Sequence, residues 1–110
     1  TYRVNGLLAT SRAFGDAPLK PVVSCEPDIT VTAIERSSSN STNEEGIAKH
    51  KFVVVASDGL FESMDNQAVV QFVYTALKNG SNANEAANEL VHEAIARGST
   101  DNVSAIVILL

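Results

Sequence analysis

The sequence predicts an α+β domain, mostly antiparallel, with its elements in the order β-β-β-α-α-β. Three observations carry that prediction. Two apolar runs rich in β-branched residues, 52–55 and 103–110, read as strands. Between them lie two segments with apolar residues at helical spacing. Earlier in the chain, residues 29–34 alternate apolar and polar side chains, the pattern of a half-exposed strand. Two successive helices inserted between strands do not suit a doubly wound parallel sheet, in which strand and helix alternate.

Gly6, Leu7, Leu8, Ala9 and Thr10 are short and apolar and read as the first strand. Gly15-Asp16 ends that element, and Pro18 and Pro21 bar a helix across the next stretch. Arg12 could contact an anion, or Arg12 or Asp16 could pair within the fold. Glu26-Pro27-Asp28 is a turn, and Ile29 to Ile34 forms the second strand, antiparallel and half-exposed. Residues 37–49, SSSNSTNEEGIAK, are polar and form a surface loop. His50 at its end is either a catalytic group or an exposed residue at a strand edge.

Phe52, Val53, Val54 and Val55 show no polar alternation, which predicts a central strand buried on both faces. Asp65 caps the first helix, and Gly80 ends it at the C′ position. Its apolar face is Val69, Phe72, Val73, Ala76 and Leu77. The second helix opens on Asn82 with Glu85 three residues on, an approximate capping box, and closes at Gly98. Its stripe is Ala87, Leu90, Val91, Ala94 and Ile95, with His92 beside it as an ordinary helix residue. These stripes could dock a partner, but they are expected to pack on the chain's own sheet. Residues 103–110 form the last strand.

Two acids stand at the ends of the long apolar runs. Asp58 leaves the central strand with Gly59 behind it, and Asp101 leads into the last strand. If these strands are antiparallel neighbours, both acids fall on one edge of the sheet. A carboxylate there is costly unless it is solvated or bound, and no Lys or Arg lies within a few residues of Asp58. The pair therefore invites a hard divalent cation. The plainer reading is two turn residues, since Asp-Gly and Asp-Asn are common turn dipeptides.

Composition narrows the possible functions. At 110 residues the chain is at most one domain, and its 45% hydrophobic content suffices for a core. The net charge of −5, with no basic patch, argues against nucleic-acid binding. No apolar run approaches the roughly 20 residues of a membrane span. One cysteine, Cys25, excludes an internal disulfide and a cysteine-based zinc site, and fits a reducing compartment. Asn40, Asn79 and Asn102 each open a glycosylation tripeptide, a pattern that often arises by chance. The chain starts without Met or a signal-like segment, so it is expected to be a piece of a longer protein. Nothing resembles a glycine-rich phosphate loop, a nucleophile elbow or a repeat.

Three segments together resemble one family. Residues 4–16, VNGLLATSRAFGD, are similar to its "VNGxLAxSRAFGD" segment. Residues 55–61, VASDGLF, resemble "ASDGLW", with Phe61 where Trp is usual. Residues 96–104, ARGSTDNVS, resemble "RGSxDNxS", and Glu26-Pro27-Asp28-Ile29 matches the family's "EPD/EI". Three motifs in the right order are highly specific. The family is the metal-dependent protein serine/threonine phosphatases of the PPM type, also called PP2C. The likeness covers essentially the whole chain and corresponds to the carboxy-terminal part of the family's domain.

The resemblance implies a layered α-β-β-α sandwich with a binuclear Mg²⁺ or Mn²⁺ centre between its two sheets. By motif position it implies that Asp58 and Asp101 are ligands of one metal. Gly59 and Asn102 are then supporting neighbours, with Asn102 holding the rotamer of Asp101. The implied reaction is hydrolysis of phosphoserine or phosphothreonine proteins by a metal-activated water, with no covalent nucleophile on the protein. A monomer in the cytoplasm or nucleus is the expected setting. The family's "DGHGG" segment, its preceding Glu-bearing strand and its flap find no counterpart in these 110 residues, and neither His50 nor His92 matches the missing His. The chain alone is therefore expected to bind metal weakly, to lack activity and to show an exposed apolar sheet face. A noncatalytic adaptor or receptor module built on the same fold is the alternative; the Asp-Gly-His segment upstream, present or lost, distinguishes the two.

Overall fold

The computed structural model describes residues 2–34 and 51–110. The loop at 37–49 and His50 lie outside the described residues. The chain divides into two compact units, Thr1–Ala33 and Ile34–Leu110.

In the second unit, strand β1 (Phe52–Ala56) pairs antiparallel with strand β2 (Ala105–Leu109). The register sets Phe52 opposite Leu109, Val54 opposite Val107 and Ala56 opposite Ala105. Between the strands run helices α1 (Asp58–Phe61), α2 (Asn66–Lys78) and α3 (Ala83–Ala96). Both long helices start as their sequences dictate. Asp65 accepts a bond from the Ala68 N–H at 2.8 Å. Asn82 and Glu85 bond reciprocally as a full capping box. Both helices run into a glycine in the left-handed region, Gly80 at φ 104 and Gly98 at φ 99.

The core gathers Leu60, Met64, Val69, Val73, Ala76, Ala86, Leu90, Ala94 and Val107, with Phe52, Val54 and Ala56 packed against it. Helix α3 lies on β2 and helix α2 lies against α3. Burying a Leu or Val side chain in this way contributes about 1.5–3 kcal/mol each. The stripe expected on α2 is buried or half-buried throughout. The α3 stripe holds at Ala87, Leu90, Val91 and Ala94, but Ile95 is 53% exposed. Ala86, outside the expected stripe, is buried with Leu90 and Ala94.

The structure corrects three expectations. The central strand is buried on one face only. Phe52, Val54 and Ala56 turn to the helices, while Val53 and Val55 are exposed, as are their partners Ile108 and Ile106. Among the described residues of this unit helices cover one face of the two-stranded sheet and nothing covers the other, so every second residue of the apolar run is exposed.

Residues 6–10 are not a strand. Asn5 and Gly6 take left-handed backbone, and the segment closes a tight loop, with the Val4 N–H bonded to the Leu8 carbonyl at 2.7 Å. Residues 29–34 are likewise not a strand. Ile29 and Val31 are exposed, and no ladder forms there among the described residues. Alternation supplies a face for a strand, but the strand exists only when a neighbour takes its hydrogen bonds. Among the described residues the order is therefore β-α-α-α-β, preceded by a 3-10 turn at Ala17–Leu19 that accommodates Pro18 near its start.

In the first unit, Val23 is the buried apolar residue. A short parallel bridge joins Arg12 to Ser24. Arg12 pairs with Asp28 at 2.8 Å, an exposed ion pair worth about 0.2–1 kcal/mol. Of the two readings of Arg12, pairing within the fold is the one observed, with Asp28 as its partner. Among the described residues no helix is long and apolar enough to cross a membrane.

Candidate functional site

The β1–β2 ladder fixes which end of the sheet carries chemistry. Its last strand pair is Ala56 opposite Ala105. Beyond that pair the Ser57 N–H donates to the Ser104 carbonyl at 2.9 Å, and the two chains then diverge. β1 continues directly into α1, whose first residue is Asp58. β2 is entered from the loop that holds Asp101 and Asn102. The antiparallel register thus puts Asp58 and Asp101 at the same edge, as the sequence argument requires.

Close backbone contact holds that edge together. A Cβ on Gly59 would overlap the Asn102 carbonyl oxygen and lie 3.3 Å from the Asp101 Cβ. Gly59 is needed here for space: α1 rests directly on the Asp101 loop, and any side chain would push the two apart. Leu60 anchors α1 beneath, fully buried in the core. From the end of α3, the Ser99 hydroxyl donates to the Gly59 carbonyl at 2.6 Å and also meets the Glu62 carboxylate at 3.3 Å. Asp101 is held by its neighbour: the Asn102 backbone N–H donates to Asp101 Oδ1 at 2.7 Å. Asn102 thus meets the acid through its main chain.

Both carboxylates are exposed. The ion pairs among the described residues, Arg12–Asp28 and Arg97–Glu93, involve neither. Two hard oxygen donors without a basic partner suit a hard cation better than a thiol- or imidazole-loving one. Among the described residues no group of three or more His, Cys, Asp or Glu side chains assembles that could hold a metal ion. His92 is an exposed residue of α3. Sequence reasoning overlooked α1 itself and the two serines, Ser57 and Ser99, that tie the acid-bearing segments together. Their signal was faint, since each is a single hydroxyl beside a motif acid.

Comparison with known proteins identifies the family. A family model described as protein phosphatase 2C matches residues 1–103. The chain is 44% identical over 108 residues to probable protein phosphatase 2C 11 of Arabidopsis thaliana, covering 98% of this chain and 24% of that one. It is 44% identical over 106 residues to probable protein phosphatase 2C 44 of Oryza sativa subsp. japonica, covering 96% and 28%. It is also similar to the solved structure of a C. elegans sex-determining protein, with a TM-score of 0.71 and 26% identity over 97% of this chain and 24% of that one. The chain thus spans about a quarter of the length of these relatives.

Proposed function

This chain belongs to the protein phosphatase 2C family, and we propose that residues 1–110 are the carboxy-terminal portion of a metal-dependent protein serine/threonine phosphatase domain. Its substrates are phosphoserine and phosphothreonine proteins, and its complete form is an intracellular monomer with an α-β-β-α sandwich. The observation that best supports this reading is the shared edge: the antiparallel register brings two motif acids together at one end of the sheet, exposed and without a basic partner among the described residues.

The donor set fits the implied Mg²⁺ or Mn²⁺. Asp58 and Asp101 both offer hard carboxylate oxygens to the same ion. Gly59 lets the backbone of α1 approach the Asp101 loop. The Asn102 N–H engages one oxygen of Asp101 and so restrains its rotamer. Two carboxylates do not complete an octahedral shell, so the remaining oxygens come from the rest of the domain, and residues 1–110 alone are inactive. When bound, the ions supply Lewis-acid activation of water and neutralise charge on the transferring phosphoryl group. The residues of this chain hold and orient; none of them serves as a covalent nucleophile.

The test is Mn²⁺-dependent hydrolysis of a phosphothreonine peptide by the full-length protein and its Asp58→Asn and Asp101→Asn variants. The expected outcome is metal-dependent turnover that falls at least about a hundredfold in each variant, the scale seen when a metal or its orienting groups are disturbed. A folded full-length protein with no turnover at any Mn²⁺ concentration would instead favour the noncatalytic adaptor, to be tested by a search for a bound protein partner.

A further inference from the structure

A serine at a helix N-cap ordinarily turns its oxygen onto a backbone N–H in the first turn of its own helix. Ser57 is the N-cap of α1 and makes no such bond. Its Oγ accepts from the Ser104 N–H at 3.0 Å and donates to the Asn102 carbonyl at 3.2 Å. The residues it reaches are 45 and 47 positions away in sequence.

The backbone explains why. An antiparallel pair in its hydrogen-bonded phase exchanges two bonds, N–H to carbonyl in each direction. At Ser57 and Ser104 the first of these is present, from the Ser57 N–H to the Ser104 carbonyl. The second is missing from the main chain, because the Ser57 carbonyl accepts from the Leu60 N–H in the turn of α1. The Ser57 hydroxyl stands in for that carbonyl toward Ser104. The ladder thus gains one rung after its backbone has already turned away, and the same hydroxyl grips Asn102, the residue next to Asp101.

We propose that Ser57 is a positioning residue: its hydroxyl fixes the spacing between Asp58 and the Asp101 loop by serving as the last rung of the sheet. This rests on the reading of Asp58 and Asp101 as ligands of one metal. Ser57 precedes one acid directly and bonds the residue following the other, so losing its hydroxyl frees the two segments to move relative to each other. Each carboxylate remains in place as a chemical group. Only their separation becomes less well defined, and a cation that demands strict geometry registers that as lost affinity.

The experiment uses the full-length protein with Ser57→Ala and Ser57→Thr, and reads two quantities: Mn²⁺ affinity by titration calorimetry and amide hydrogen exchange at Ser104. Ser57→Ala is expected to raise the Mn²⁺ Kd about three- to tenfold and to speed exchange at Ser104 by a similar factor, the size expected for one or two lost hydrogen bonds. Ser57→Thr keeps the hydroxyl and is expected to restore both to within about twofold of the parent. Should Ser57→Ala fail to fold, Ser57→Cys, close in shape but a weaker donor and acceptor, carries the same expectation. A folded Ser57→Ala or Ser57→Cys protein with unchanged Mn²⁺ affinity overturns the proposal, as does failure of Thr to rescue. Asp58→Asn and Asp101→Asn separate the two layers. If both abolish binding while Ser57→Ala leaves it intact, the metal reading stands and the Ser57 role falls. If the parent binds no Mn²⁺, or neither Asn variant weakens binding, both fall.

Discussion

The two units of this chain solve the problem of order differently. Among the described residues, Ile34–Leu110 gathers nine buried apolar residues between its helices and a two-stranded sheet, whereas Thr1–Ala33 buries Val23. Both contain strongly apolar segments, so hydrophobic content does not separate them. Local completeness does. An α-helix satisfies its own backbone and needs only a surface to lie on, and α3 gives α2 that surface while itself lying on β2. A strand needs a neighbour to take its hydrogen bonds. β1 finds β2 about 50 residues on, while residues 29–34 find no ladder among the described residues.

Three substitutions would break or sharpen this contrast, taken in the 110-residue chain by urea unfolding followed through helical ellipticity. Leu90→Ala removes a fully buried side chain at the centre of the second unit and is expected to cost about 2–5 kcal/mol. Gly59→Ala forces a methyl group into the Asn102 carbonyl and is expected to cost about 1–3 kcal/mol. Val31→Ala removes a similarly apolar side chain that is 92% exposed in the first unit and is expected to stay within about 0.5 kcal/mol. A Val31 effect as large as that of Leu90 would show that the extended segment is packed after all, and the contrast between the units would disappear.

The same distinction explains what could be read in advance. The helices were legible because their signals are local: a cap at Asp65, a box at Asn82 and Glu85, glycines at 80 and 98, and stripes within a dozen residues. Ile95 misled because the buried face of α3 is centred on Ala86, Leu90 and Ala94, and Ile95 lies to the side of that face. α1 was illegible because four residues, DGLF, cannot display a helical period. The strand assignments at 6–10 and 29–34 failed because alternation says which side could be buried and nothing about a partner. The outer face of β1 was read as buried because an unbroken apolar run normally has a layer on each side. At the candidate site, antiparallel pairing of the two apolar runs was enough to bring Asp58 and Asp101 to one edge, and the motifs supplied the chemical reason. Ser57 stayed hidden because its bonds span 45 and 47 residues and arise only where the ladder ends.

The outer sheet face fits the same view. Val53, Val55, Ile106 and Ile108 are exposed cross-strand neighbours, and an apolar patch of this kind ordinarily belongs to an interface. In the sandwich proposed above it is the side that meets the other sheet.

The most direct test of the shared edge is a double-mutant cycle on Mn²⁺ binding by the full-length protein, using Asp58→Asn, Asp101→Asn and the pair together. If both carboxylates hold one ion, each single variant weakens binding at least about tenfold and the double variant costs far less than the sum of the two free energies, because the second carboxylate has already lost its ion. Two effects that simply add, or a variant that leaves the affinity unchanged, would mean that Asp58 and Asp101 do not share a metal.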